Sequence, residues 1–166
     1  SGEFILNIPK NHDYALNVSK DGYMFYSKNF SLSGEASKDD PFLMDVPLTP
    51  ISDVATNNGI VLENVFFDVD SYDLKPASRT ELDKLYGFLK DNPDIKIELS
   101  GHTDSDGDDA HNKTLSDNRA KAVKNYLVDK GISADRITAI GFGEEKPIVA
   151  NDTPENKAKN RRTEYK

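Results

Sequence analysis

An α+β fold is what this sequence predicts, on three observations. Apolar residues recur at helical spacing in two stretches, alternating apolar runs lie around and between them, and cap or turn residues mark the junctions. The reading is β-α-β-α-β with helices packed on one sheet, preceded by a small N-terminal β segment. In that segment Tyr14-Ala-Leu-Asn-Val-Ser19 alternates, Lys20-Asp21-Gly22 turns, and Tyr23-Met-Phe-Tyr-Ser27 is a second strand. Two strands alone are barely stable, so they either pack on the main domain or end an upstream one. Residues 34–45 read as a polar loop, and Pro47, Pro50 and the stretch 52–59 as a connector. The division is residues 1–50 for the β segment and connector, and 51–166 for the main domain.

The main domain opens with a strand over Ile60–Phe67 and a polar turn over Asp68–Asp73. Pro76 suits a first helical turn, and Ser78 with Glu81 can form a capping box. Leu82, Leu85, Tyr86 and Leu89 fall on one helical face that Asn92-Pro93 ends. Ile95, Ile97 and Leu99 alternate with charged residues in a strand closing at Gly101. A second helix is expected from about Leu115-Ser116 through Ala120, Val123 and Leu127, with Gly131 as its C-terminal cap. Arg136–Ile140 is a third strand. Thr153-Pro154-Glu155 opens a short helix, and Thr163–Tyr165 reads as an edge strand.

Composition excludes several classes of function. The 166 residues carry 21 Lys and Arg against 29 Asp and Glu, a formal charge of −8. That field disfavours nucleic acid and anionic lipid as partners. With no cysteine, disulfides, thiolate metal sites and Cys nucleophiles are ruled out. The 7 Tyr and 8 Phe supply a core, so disorder throughout is not expected. No apolar run reaches the roughly 20 residues of a transmembrane helix. Ser1-Gly2-Glu3-Phe4 reads as a cloning remnant, so a fragment of a larger protein is expected.

Candidate chemistry concentrates in Gly101–His111. Asp104, Asp106 and Asp108 alternate as in a Ca²⁺ loop, but Asp109 stands where that loop needs Gly and Leu115 where it needs Glu. A hydrolytic metal site could draw on His102, His111 and nearby carboxylates, yet no second ligand motif completes a shell. A solvated acidic loop is the plainer reading of Asp106, Asp108 and Asp109. No Gly-x-Ser-x-Gly supports a serine nucleophile, and no cofactor is called for.

Asp104 and Arg119 form the more informative pair. Asp104 follows a strand end, and Arg119 is expected in the first turn of the next helix, so both side chains can face one cleft. Free N–H groups at a helix start favour a carboxylate, which Arg119 would grip in a two-pronged bond while Asp104 holds an ammonium. The pair suits a zwitterionic amino-acid head. The same spacing equally suits a structural Asp–Arg ion pair.

Four ordered motifs carry a family resemblance: Gly101-His-Thr-Asp104; Asn112-x-x-Leu115-Ser116-x-x-Arg119-Ala120-x-x-Val123; Gly141-x-Gly143-x-x-x-Pro147; and Asn160-Arg161-Arg162. With Phe66-Phe67-Asp68-x-Asp70-Ser71 and Leu74-Lys75-Pro76, they make residues 60–166 resemble the OmpA-like C-terminal domain. That family includes peptidoglycan-associated lipoproteins and flagellar stator subunits. The resemblance implies an OmpA-like sheet with helices on one face. It also implies a non-catalytic domain that binds peptidoglycan through the meso-diaminopimelate of the stem peptide. Such a domain is periplasmic and anchors an outer-membrane-associated complex, whose other proteins are further expected partners.

Carried over by motif, Asp104 (after Thr103) and Arg119 hold the ligand head, Asn112, Leu115 and Ser116 precede that Arg, and Arg161 is a ligand-side cation. Phe67, Asp68 and Ser71 would form the facing rim. The chain departs from the pattern at Asn156-Lys157-Ala158, where Gly-Arg-Ala is usual, and in its acidic loop after Asp104. The N-terminal segment resembles the last strands of a carboxypeptidase-regulatory-like sandwich. The combination is similar to multidomain outer-membrane-associated proteins of Bacteroidetes, among them a lipoprotein linked to type IX secretion. A metal-dependent wall hydrolase and a protein-interaction module with a vestigial cleft are the alternatives.

Overall fold

The computed structural model describes residues 2–32, 41–52 and 60–166. Two sheets form. β1 (Asp13–Val18) pairs antiparallel with β2 (Tyr26–Ser31) in a hairpin, with Gly22 at φ +79° in the connection. The second strand starts three residues later than Tyr23, the expected start. Met24 and Phe25 are drawn into the core instead, 3% and 6% exposed. Met24 N–H bonds the Thr49 carbonyl at 2.8 Å, Tyr23 bridges to Pro50, and Phe25 stacks on Tyr165 at 5.8 Å. The hairpin therefore packs on the main domain. Most of the expected loop over 34–45 and of the connector over 52–59 lies outside the described residues, and residues 41–45 adopt no regular structure.

The second sheet has the order β3-β6-β4-β5, from β3 (Ile60–Val61), β6 (Thr163–Tyr165), β4 (Ile97–Gly101) and β5 (Ile137–Gly141). β4 and β5 run parallel, and β6 is antiparallel to both β3 and β4. Two expectations are corrected here. The strand over 60–67 shrinks to two residues, because the chain turns at Glu63–Asn64 after Leu62 N–H reaches the Thr163 carbonyl. Thr163–Tyr165 is an interior strand rather than an edge, and Tyr165 is fully buried between its neighbours.

α1 (Arg79–Asp91) follows a 3-10 turn over Pro76–Ser78. Its stripe of Leu82, Leu85 and Leu89 is fully buried against Ile97, Leu99 and Tyr165, and Asn92 bonds the Phe88 carbonyl where it ends. The expected capping box does not form. Ser78 hydroxyl instead exchanges hydrogen bonds with the Phe66 backbone, and Glu81 turns inward to Asn64 and Ser27.

α2 (Asp109–Asp129) begins six residues before the expected Leu115. Asp108 caps it by accepting from His111 N–H at 3.1 Å, and Gly131, at φ +110°, lies just past its end. Ala120, Val123 and Leu127 are buried against the sheet. Two glycines set how close α2 lies: a Cβ at Gly101 would stand 2.2 Å from the Ser116 carbonyl oxygen, and one at Gly141 2.2 Å from the Asp117 nitrogen. α3 (Pro154–Asn160) starts as expected, with Thr153 accepting from Asn156 N–H. Among the described residues no helix is long and apolar enough to cross a membrane.

Candidate functional site

The C-terminal end of β4 delivers His102, Thr103 and Asp104 into the crevice beside α2. Asp104 is nearly buried, its side chain 9% exposed, and its carboxylate is shared. Oδ1 accepts from Asp106 N–H at 3.1 Å, and Oδ2 accepts from Arg161 at 2.5 Å. Arg161 follows α3, and its own side chain is 48% exposed. The ion pair of Asp104 is therefore made with Arg161, not with Arg119.

Arg119 lies on α2 in the third turn, well inside the helix rather than at its start. The expectation of free amides near Leu115 is corrected with it: an amide that deep in an α-helix already bonds four residues back. The loop before α1 holds Arg119 in place. Its Nε–H donates to the Ser71 carbonyl at 2.8 Å and its Nη2–H to the Asp68 carbonyl at 3.1 Å, with the Phe67 ring 5.0 Å from the guanidinium carbon. Phe67, Asp68 and Ser71 therefore lie beside Arg119, which they touch through backbone oxygens and a ring face. The Asp68 carboxylate pairs with Lys75, and the Ser71 hydroxyl accepts from Asp73 N–H.

Burial chiefly, then repulsion by Arg161, pulls the Arg119 pKa below the usual guanidinium range; Asp70 and Asp104 oppose this. Two of its five N–H donors are used, and the other three have no partner among the described residues. A half-buried cation with open donors, near a second cation and the carboxylates of Asp70 and Asp104, presents complementary charge to a zwitterion.

The remaining expected residues hold the surrounding loops. Asn112, 4% exposed, donates its amide to the Asp104 and Asp106 carbonyls and to Glu144. Ser116 is fully buried, donating to the Lys113 carbonyl and accepting from Gly143 N–H at 2.8 Å, so its hydroxyl fixes the β5 loop. Leu115 is half-buried one turn before Arg119. Thr103 N–H bonds the Gly143 carbonyl, and its buried hydroxyl has no partner among the described residues.

Three contacts lie beyond what the sequence reading anticipates. His111 Nε2 pairs with Asp70 at 2.6 Å, tying the rim loop to α2. No sequence signal spans that separation. Lys157 pairs with Asp106 at 2.6 Å, so α3 still contributes a cation at the position where the family pattern has Arg. Arg161 on Asp104 is the contact that the Asn160-Arg161-Arg162 motif could have revealed, since the motif already marks Arg161 as a cation. The acidic loop is largely spoken for, with Asp106 paired and Asp108 capping.

The structure does not bring the two loop histidines together. His102 is buried and stacked on Phe142, while His111 is exposed on Asp70. Among the described residues no three His, Cys, Asp or Glu side chains gather to hold a metal.

These features define a small α+β domain in which the Asp104 carboxylate, just past β4, pairs with Arg161 while Arg119 reaches from α2 to the loop before α1. Residues 66–161 match the OmpA family, and the chain belongs to it. Outer membrane porin F of Pseudomonas fluorescens is 44% identical over 101 residues, covering 61% of this chain and 31% of that protein. Peptidoglycan-binding protein ArfA of Mycobacterium tuberculosis is 39% identical over 107 residues, covering 64% and 33%. The chain thus spans about a third of these relatives' length. Among solved structures, the peptidoglycan-associated lipoprotein of Burkholderia pseudomallei superposes with TM-score 0.58 at 32% identity, covering 61% of this chain and 88% of that one. A MotB-like protein of Desulfovibrio vulgaris gives 0.57 at 31%, covering 61% and 65%.

Proposed function

We propose that this domain binds peptidoglycan without catalysis, gripping the amino-acid head of a stem-peptide diaminopimelate between Asp104, Arg119 and Arg161. The observation that carries the reading is Arg119, half-buried and carrying three open donors, within electrostatic reach of Arg161 and Asp104. A ligand carboxylate relieves the repulsion between the two guanidinium groups, and a ligand ammonium takes the place of Arg161 on Asp104. Arg161 is the partner that yields, because it is half in solvent while Asp104 is not. Asn112 and Ser116 position the loop ends. In this reading the domain holds an outer-membrane-associated assembly to the cell wall in the periplasm. Its membership in a family with a protein named for peptidoglycan binding supports that.

The test is retention on purified sacculi. Asp104→Ala and Arg119→Ala should each weaken binding to diaminopimelate-type wall by about 2–5 kcal/mol, roughly thirtyfold or more, because each strands the opposite charge. Lysine-type wall lacks the distal carboxylate and should be retained poorly by the unmutated protein. Equal retention of both wall types, or full retention by both variants, overturns the assignment. Release of soluble muropeptides would replace it with a hydrolase.

A further inference from the structure

The loop whose carbonyls receive Arg119, residues 68–73, is fastened to α2 a second time. His111 Nε2–H donates to Asp70 Oδ1 at 2.6 Å, across 41 residues of sequence. His111, Leu115 and Arg119 stand at i, i+4 and i+8 along one ridge of α2. The two fasteners therefore lie about 12 Å apart on one helix, at 1.5 Å per residue. Among the described residues the other polar contacts of this loop are local. Ser71 N–H bonds the Asp68 carbonyl at 3.2 Å, Asp73 N–H bonds the Ser71 hydroxyl, and the Asp68 carboxylate pairs with Lys75. Val69 is 98% exposed, so it anchors nothing. Asp70 has φ +55°, a left-handed bend that Gly, Asn and Asp enter most readily. The residue at the bend is the one that His111 grips.

Protonation of His111 acts on Arg119 in two ways of the same sign. The bond to Asp70 becomes a charge-assisted ion pair, which holds the Asp68 and Ser71 carbonyls more firmly on the guanidinium. The added charge also offsets that of Asp70, which acts on Arg119 through space, so more positive field is left for a ligand carboxylate. The charged groups around His111 are Asp70 from the loop, Asp108 at the helix cap, which accepts from His111 N–H, and Asp109 in the first turn. Histidine is the side chain that ordinarily changes charge between about pH 5 and 8. We propose that Asp70 and His111 are positioning residues for Arg119, a latch that fixes residues 68–73 on α2 and tightens when His111 is protonated. This role rests on the peptidoglycan reading above. With 56% and 65% of the two side chains exposed, the latch changes binding about twofold to fivefold.

The first arm of the experiment uses no ligand. An NMR titration of the full chain across about pH 5 to 8 follows the His111 ring, the Arg119 Nε–H and the Ser71 amide. In the unmutated chain the Arg119 and Ser71 signals should move with the midpoint of His111. Asp70→Asn suits the same bend without the charge, and His111→Gln keeps a polar side chain that does not titrate, so each should flatten both responses. The second arm measures affinity for a soluble diaminopimelate-containing stem peptide by calorimetry at both ends of the range. Relative to either variant, the unmutated chain should gain about twofold to fivefold toward acid pH, and the double variant should bind no more weakly than the single ones. Arg119 and Ser71 responses that persist in Asp70→Asn would overturn the latch. So would binding by His111→Gln that follows pH as the unmutated chain does, and in that case loss of binding in Asp104→Ala would leave the peptidoglycan reading standing. A latch seen in the first arm, with no stem peptide bound at either pH, would instead overturn that reading and the role at the ligand with it.

Discussion

His102 carries two buried ring nitrogens without hydrogen-bond partners among the described residues, in a ring stacked on Phe142. Glu164 lies 3.8 Å away, too far for a hydrogen bond. Burial first, then the charges of Arg162 and Lys146, pull the imidazole pKa down from 6.5 to about 4. The folded protein therefore keeps His102 neutral while the unfolded chain takes up a proton below pH 6.5. The stability associated with neutral His102 is complete above that pH and is lost as pH falls toward 4. The difference amounts to about 3 kcal/mol across the window. Glu81 works with the opposite sign: burial raises its folded pKa above 4.5, so its contribution to stability is largest at low pH and is lost as pH rises through that raised value. Urea unfolding of His102→Phe at pH 7 and pH 4.5 should show a smaller acid loss than the unmutated chain. Parallel losses would remove His102 from the account.

At the scale of elements, the notch depends on how tightly α2 lies on the sheet. Gly141→Ala puts a methyl into the Asp117 backbone, which cannot give way as a flexible side chain could. α2 must lift, and with it Arg119 leaves the carbonyls of Asp68 and Ser71. Calorimetry should show a destabilisation of about 1–3 kcal/mol, the usual cost of overpacking. Retention on sacculi should fall beyond what that loss of folded protein explains; unaltered retention would mean the spacing of α2 is immaterial. The glycines were legible in the sequence as parts of motifs, and so were Asp104, Arg119 and Arg161. The start of α2 was not: Asp109–Thr114 has no apolar stripe because this first stretch borders the acidic loop instead of the core, so periodicity is silent there. The interior position of β6 was hidden for a different reason. Three residues at the chain end carry no record of which strands they will join, and only pairing with Ile60 and Leu99 decides it.

For the whole molecule, the question is why an N-terminal hairpin should be stable at all, since two strands alone rarely are. The answer lies in Met24 and Phe25, which read as strand residues in the sequence and which instead enter the main core. Phe25 lies nearly parallel to the ring of Tyr165, the fully buried last residue of β6, so the segment just before β2 packs on the last strand. Ser27 and Asn29 add hydrogen bonds to Glu81 and to Glu63, fastening β2 beside α1. Phe25→Ala should therefore cost about 3–5 kcal/mol, the range for emptying a buried aromatic site. The loss should appear as one cooperative transition in both hairpin and main-domain amides by hydrogen exchange, because the cavity it leaves adjoins β6. Protection lost from β1 and β2 alone, with β4 and β6 unaffected, would show the hairpin to be an appendage whose packing contributes nothing to the domain that carries the notch.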